Sequence, residues 1–125
     1  MQVPKPSESD KTLFRSVVPD SPAVTIKPMF GNLGAFVNGN MFAGLFGSAI
    51  GVRVVDDAVR RELEAIDGTA PFGPSERPMG GYLALPASWS SEPDLIATWI
   101  ARALAQVELL PAKTPKPKPR TQSKP

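Results

Sequence analysis

The sequence predicts an α+β domain of two layers, a mainly antiparallel sheet of four to five strands with helices packed on one face. Three observations lead there. Asn38-Gly39 stands between two apolar segments, and Asn-Gly is the pair that most readily adopts the positive backbone φ angles of a two-residue hairpin turn. Ile96, Trp99, Ile100, Ala103, Leu104 and Val107 recur at helical spacing and form one apolar stripe. Short strands joined by tight turns alternate with helical segments in the order expected when helices gather on one side of an antiparallel sheet.

Residues 1–8 read as a flexible lead-in, residues 9–110 as the folded domain and residues 111–125 as a tail. Ser9 is placed to cap a short helix from Asp10 to Val18, and Pro19 stops it. One extended segment then runs from Val24 to Val37, a second from Met41 to Phe46 and a third from Ile50 to Val55. A bulge is expected where Gly31 or Gly34 lies. Asp56-Asp57 cap the next helix, in which Val59, Leu63 and Ile66 form the apolar side, and Gly68 ends it as a left-handed cap. The proline-rich stretch Thr69 to Pro78 is a loop with a short strand near Ala70 to Phe72. Met79 to Leu85 is a further strand that Pro86 terminates. Ser91 and Asp94 form the capping-box pattern of the last helix, with Pro93 tolerated in its first turn.

Composition excludes more chemistry than it suggests. There is no cysteine and no histidine, which removes thiol nucleophiles, disulfides, thiolate or imidazole metal sites and every triad with an imidazole base. A carboxylate-held hard ion, a carboxylate acid/base pair or a serine–lysine dyad are the enzymatic options left. None has a motif behind it, so no enzyme, cofactor or small-molecule substrate is inferred. The cysteine-free chain, with no apolar leader in its first residues, fits a cytoplasmic protein.

Pro28 to Val52 carries no charge and is long enough to span a bilayer, but Asn32, Asn38, Asn40 and six glycines within it are turn and strand chemistry. No membrane partner is expected. The formal net charge of +2 averages two unlike regions. Lys113, Lys116, Lys118, Arg120 and Lys124 follow Pro111 with no acidic residue, which leaves −3 for residues 1–112. Attraction to nucleic acid is therefore assigned to the tail, whose proline-lysine composition predicts a disordered, extended chain.

The run Lys27-Pro28-Met29-Phe30-Gly31-Asn32-Leu33-Gly34-Ala35-Phe36-Val37-Asn38-Gly39-Asn40-Met41-Phe42-Ala43 resembles the opening of the TfoX/Sxy N-terminal domain family, in which a Met-Phe-Gly motif enters a hairpin. Pro71-Phe72, Arg77-Pro78-Met79, Leu85-Pro86 and Trp99 with Ala103-Leu104 agree with the same family in order, over about residues 10 to 110. The resemblance implies a two-layer α+β fold and a non-enzymatic interaction or regulatory module, with a link to transcriptional or competence regulation through two-domain relatives. One departure is Asn40, where the family commonly has lysine or arginine after the hairpin glycine.

Candidate binding residues follow. Met29-Phe30-Gly31-Asn32 forms a recognition loop if Phe30 is an exposed anchor, Gly31 allows close approach and Lys27 adds charge; packing of Met29 and Phe30 into a core is the competing reading. Arg53, alone in an apolar strand, and Arg77, in the long loop, are candidate anion contacts, with a solvated face or an ion pair as the alternative. Asp56, Asp57, Glu62 and Glu64 are explained by capping and a solvated helix face rather than by magnesium. The glycines from Gly31 to Gly51 lack the lysine-serine pair of a phosphate-binding loop. Trp89 and Trp99 are assigned to packing, and aromatic and basic residues do not interleave along the chain. The expected partner is another protein or a second copy, bound at a sheet edge or at the Met29-Phe30-Gly31 loop, with nucleic acid as the alternative through the tail.

Overall fold

A computed structural model describes residues 5–29, 31–73 and 78–111. The first helix, α1 (Glu8–Val17), is opened by Ser7, whose Oγ accepts from the Asp10 amide at 3.0 Å while the Asp10 carboxylate accepts from the Ser7 amide at 2.9 Å. This reciprocal box satisfies two amides that a helix start leaves without partners. It lies two residues earlier than the Ser9 cap that the sequence suggests. Phe14 and Val17 are the buried side of α1.

Four strands follow as a meander: β1 (Val24–Met29), β2 (Asn32–Val37), β3 (Asn40–Phe46) and β4 (Ala49–Arg53). The single segment expected from Val24 to Val37 is two strands. The chain reverses at Gly31, whose φ of +80° is open to glycine and strained for other residues, and Met29 pairs with Asn32 across the turn. Asn38 and Gly39 both have positive φ, +52° and +80°, and make the tight turn that Asn-Gly predicts. The bulge lies between Ala35 and Phe36, not at Gly31 or Gly34.

Helix α2 (Asp57–Glu64) is capped by Asp56, whose carboxylate accepts from the Ala58 amide at 2.8 Å. It ends at Ala65, three residues before the left-handed Gly68. Two short strands, β5 (Ala70–Pro71) and β6 (Tyr82–Ala84), complete a six-stranded antiparallel sheet in the order β1-β2-β3-β4-β6-β5. That is one strand more than the upper expectation, and β6 is shorter than the expected Met79–Leu85. A 3-10 turn (Ala87–Ser91) leads into α3 (Pro93–Val107). Ser91 is absorbed in that turn and the N-cap is Glu92 without a side-chain bond, so the expected Ser91–Asp94 box does not form.

The helices pack on one face. Phe14, Phe42, Val52, Leu63, Ile100 and Val107 are fully enclosed between the layers, and each large side chain buried there stabilises the fold by roughly 1.5–3 kcal/mol. The α3 stripe is where its spacing places it, with Ile96, Trp99, Ile100, Ala103 and Val107 buried. No helix among the described residues is long and apolar enough to cross a membrane.

Candidate functional site

Among the described residues the second face of the sheet bears no helix, and strand register defines its composition. Directly paired residues share a face, so Lys27, Gly34, Gly44, Gly51, Ala84 and Ala70 form one row across all six strands on the side away from the helices. The row has one lysine at its end and only glycine and alanine elsewhere. Its small residues seat large neighbours. A Cβ at Gly34 would lie 2.8 Å from the sulfur of Met29 and 3.0 Å from both the Met41 sulfur and Phe36 Cε1. Phe72 lies over Gly44 and Gly51, edge-on to Phe46 with ring centres 6.3 Å apart and tilted to Tyr82 at the same separation. Met41 and Phe72 are buried here, outside the helix-side core.

Around this row stand Phe36, Phe46 and Tyr82, all half-buried, together with Lys27 and Arg53. Lys27 is exposed and holds its ammonium 4.9 Å from the centre of the Phe36 ring, a cation–π contact made diagonally across the β1–β2 pair. Arg53 is paired with Tyr82 across β4 and β6, so both lie on this face. The Tyr82 hydroxyl donates to the Met41 carbonyl at 3.0 Å. Burial pushes the phenol up from its ordinary value, and the positive charge of Arg53 opposes that rise. Lys27 and Arg53 are the two charged residues in the strands, and every carboxylate of the described residues belongs to a helix or a loop. The helix-free face is thus aromatic and cationic without a strand carboxylate.

The candidate residues of the sequence separate on this frame. Lys27, Met29 and Arg53 come to the helix-free face. Gly31 is exposed in the turn. Asn32 is buried, and its Oδ1 accepts from the Gly47 amide at 2.7 Å, so it ties the β1–β2 turn to the β3–β4 turn. Phe30, Arg77 and the tail cations Lys113, Lys116, Lys118, Arg120 and Lys124 lie outside the described residues. Asn40, the departure from the family pattern, donates from Nδ2 to the Pro111 carbonyl at 3.1 Å and ties the β2–β3 turn to the end of the domain. Trp99 is buried on the helix side, and the Arg102 guanidinium stacks 4.2 Å from its ring centre.

Phe36, Tyr82 and Phe72 are not among the binding residues that the sequence suggests, although Phe36 and Phe72 lie in the segments that carry the family resemblance. The signal for their site is the register of Gly34, Gly44 and Gly51, which appears only once the strands are paired. Aromatic and basic residues that do not interleave along the chain do so across the sheet, where Lys27 meets Phe36.

The open edge of β1 is a poor template for another strand. The two-residue turn closes on Met29–Asn32 as a hydrogen-bonded pair, and alternation then turns the amide positions of Val24, Ile26 and Pro28 outward. Proline has no N–H, and the Val24 amide donates to the Ser21 carbonyl at 3.0 Å. Among the described residues, clefts flank the sheet on two sides. One of ≈ 300 Å³ lies between α2 and β5–β6, where Arg60 is paired with Glu64 at 3.2 Å. The other, ≈ 390 Å³, is lined by Arg15, Val18, Asp20, Val24 and Ile26. Among the described residues no three carboxylates stand close enough to hold a metal ion.

A family model described as the TfoX N-terminal domain matches residues 16–107, from within α1 to the last residue of α3. No curated protein matches the sequence.

Proposed function

Because the chain belongs to the TfoX N-terminal domain family, we propose that it is a non-enzymatic interaction and regulatory module that binds a macromolecular partner through the helix-free face of its sheet. The observation that carries this reading is the segregation of charge. Both strand cations stand beside half-buried aromatic rings on that face, and the carboxylates of the described residues are confined to helices and loops. Aromatic residues and arginine are the groups from which binding surfaces draw most of their energy. The blunted β1 edge favours the face over strand addition as the binding mode. Transcriptional or competence regulation, in the cytoplasm, is the setting the family suggests.

The test places a photo-crosslinking p-benzoylphenylalanine at Phe36, and in a second protein at the exposed Ala101 on α3. Irradiation in cells that make the protein is expected to give adducts from position 36 and not from position 101. Adducts from position 101 alone, or from neither, would remove the helix-free face from consideration.

A further inference from the structure

We infer that the partner of the helix-free face is single-stranded nucleic acid; the inference rests on the module reading above and gives that partner its chemistry. Three features of the face select an unpaired polyanion with flat bases. Its strand charges are both positive, and no strand carboxylate opposes a phosphate. They are spread rather than clustered, with Lys27 on β1 and Arg53 on β4 three strands apart, about 14 Å across the sheet. Phe36 stands on the intervening β2, half-buried, with Gly34 beside it leaving room for the ring to lean along the sheet. A cation on β1, an aromatic ring on β2 and a second cation on β4 therefore follow one another across the sheet, the arrangement by which a backbone is tracked while a base stacks.

Lys27 already stands at the Phe36 ring, held by the ring's negative face. Its stem is flexible and its ammonium exposed, so it can exchange the ring for a phosphate as a base takes the ring's surface. A duplex does not fit this role. Its bases are stacked on one another, and a broad sheet face does not enter the major groove as a helix or a two-stranded ribbon does.

Binding of fluorescein-labelled oligo(dT), oligo(U) and a mixed-sequence duplex to the full chain, by anisotropy over a salt series, tests this. Four full-length variants accompany it: Phe36→Leu, Phe36→Tyr, Lys27→Gln with Arg53→Gln, and a tail variant with Lys113, Lys116, Lys118, Arg120 and Lys124 all changed to glutamine. Circular dichroism confirms that each is folded. Single strands are expected to bind more tightly than the duplex. Phe36→Leu should weaken binding by about 5- to 100-fold without changing the salt slope, the loss expected of one stacked base. Phe36→Tyr, which keeps a ring, should restore most of it. Losing Lys27 and Arg53 should reduce the slope of log affinity against log salt by about 1.4, two phosphates at roughly 0.7 each.

Loss of binding in the tail variant, with every face variant unchanged, would overturn the inference and make the tail the binder. Absence of binding by the parent chain, or equal affinity for the duplex, would overturn it as well. If adducts still form at position 36 when oligonucleotides fail to bind, the module reading stands with a protein partner; if neither occurs, both fall.

Discussion

Phe72 lies so close to Gly51 that a Cβ at position 51 would be 2.3 Å from Cδ1 and 2.4 Å from Cγ of the ring. These are atoms at the base of the side chain, and no rotation of a flexible end relieves the contact. Phe72 is buried, so the glycine and the ring together close a small second core on the sheet face opposite the helices. Gly51→Ala is expected to destabilise the protein by ~1–3 kcal/mol, the usual cost of overpacking. Gly44→Ala, where the nearest ring atom is 3.2 Å away, should cost less. Gly80→Ala, with open space around the new Cβ, should be neutral or stabilising by ~0.4–1 kcal/mol through the unfolded chain. Urea unfolding of the three variants gives the order directly, and equal effects at 51 and 80 would contradict the Phe72 seat.

Asn32 belongs to the fold rather than to an exposed recognition loop. Its buried Oδ1 receives the Gly47 amide, and Asn32→Ala would leave that N–H without its acceptor. The expected loss is ~1–3 kcal/mol, the cost of an unsatisfied buried donor. Faster hydrogen exchange at the Gly47 amide is the local readout. An exchange rate that does not move would mean that this bond does not hold the two turns together.

What was legible in the sequence was what local physics decides. Asn38-Gly39 has few other ways to lie between strands, and the α3 stripe has one period and one burial side. The family resemblance, carried by short motifs in order, is matched over residues 16–107. Phe30-Gly31 is a weaker turn signal than Asn-Gly, so the sequence suggests one segment where the structure has β1 and β2. Ser7 and Ser9 offer the same cap chemistry two residues apart; Asp10 in the third helical position decides for Ser7. The helix-free face was hidden for a different reason. Lys27 and Phe36 are nine positions apart and become neighbours only through the β1–β2 register. Gly34 reads singly as a bulge candidate and Gly44 and Gly51 as ordinary strand positions, and they acquire a common role only as a row.

Glu62 and Arg102 join α2 to α3 by two hydrogen bonds, 2.9 and 3.0 Å. The Arg102 hydrogen bonds, aided by its positive charge, hold the Glu62 carboxyl below its ordinary value, with slight burial acting the other way. The folded state therefore binds this proton less tightly than the unfolded chain. Its contribution to stability is present above the ordinary glutamate value of about 4.3 and is lost as pH falls through the lower folded value. Glu62→Gln should flatten the acid limb of the stability profile and leave the profile near neutrality little changed, since the pair is solvent-exposed. Chemical denaturation across pH, at low and high salt, is the measurement. An acid limb identical in the variant would show that the pair does not couple to folding.

Tyr82 offers a spectroscopic test of the site, because it is the single tyrosine of the chain. Its phenol is raised chiefly by burial, while the charge of Arg53 pulls it down. Arg53→Gln should therefore move the phenolate absorbance titration to still higher pH. The folded state holds this proton more tightly than the unfolded chain, so the associated stability is intact below the ordinary tyrosine value near 10 and is lost as pH rises through the higher folded value. The variant should show that loss begin in the same region and extend further into alkali. A downward shift, or none, would mean that Arg53 does not act on the ring from the same face. It would also remove Arg53 from the cationic face on which the binding proposal depends.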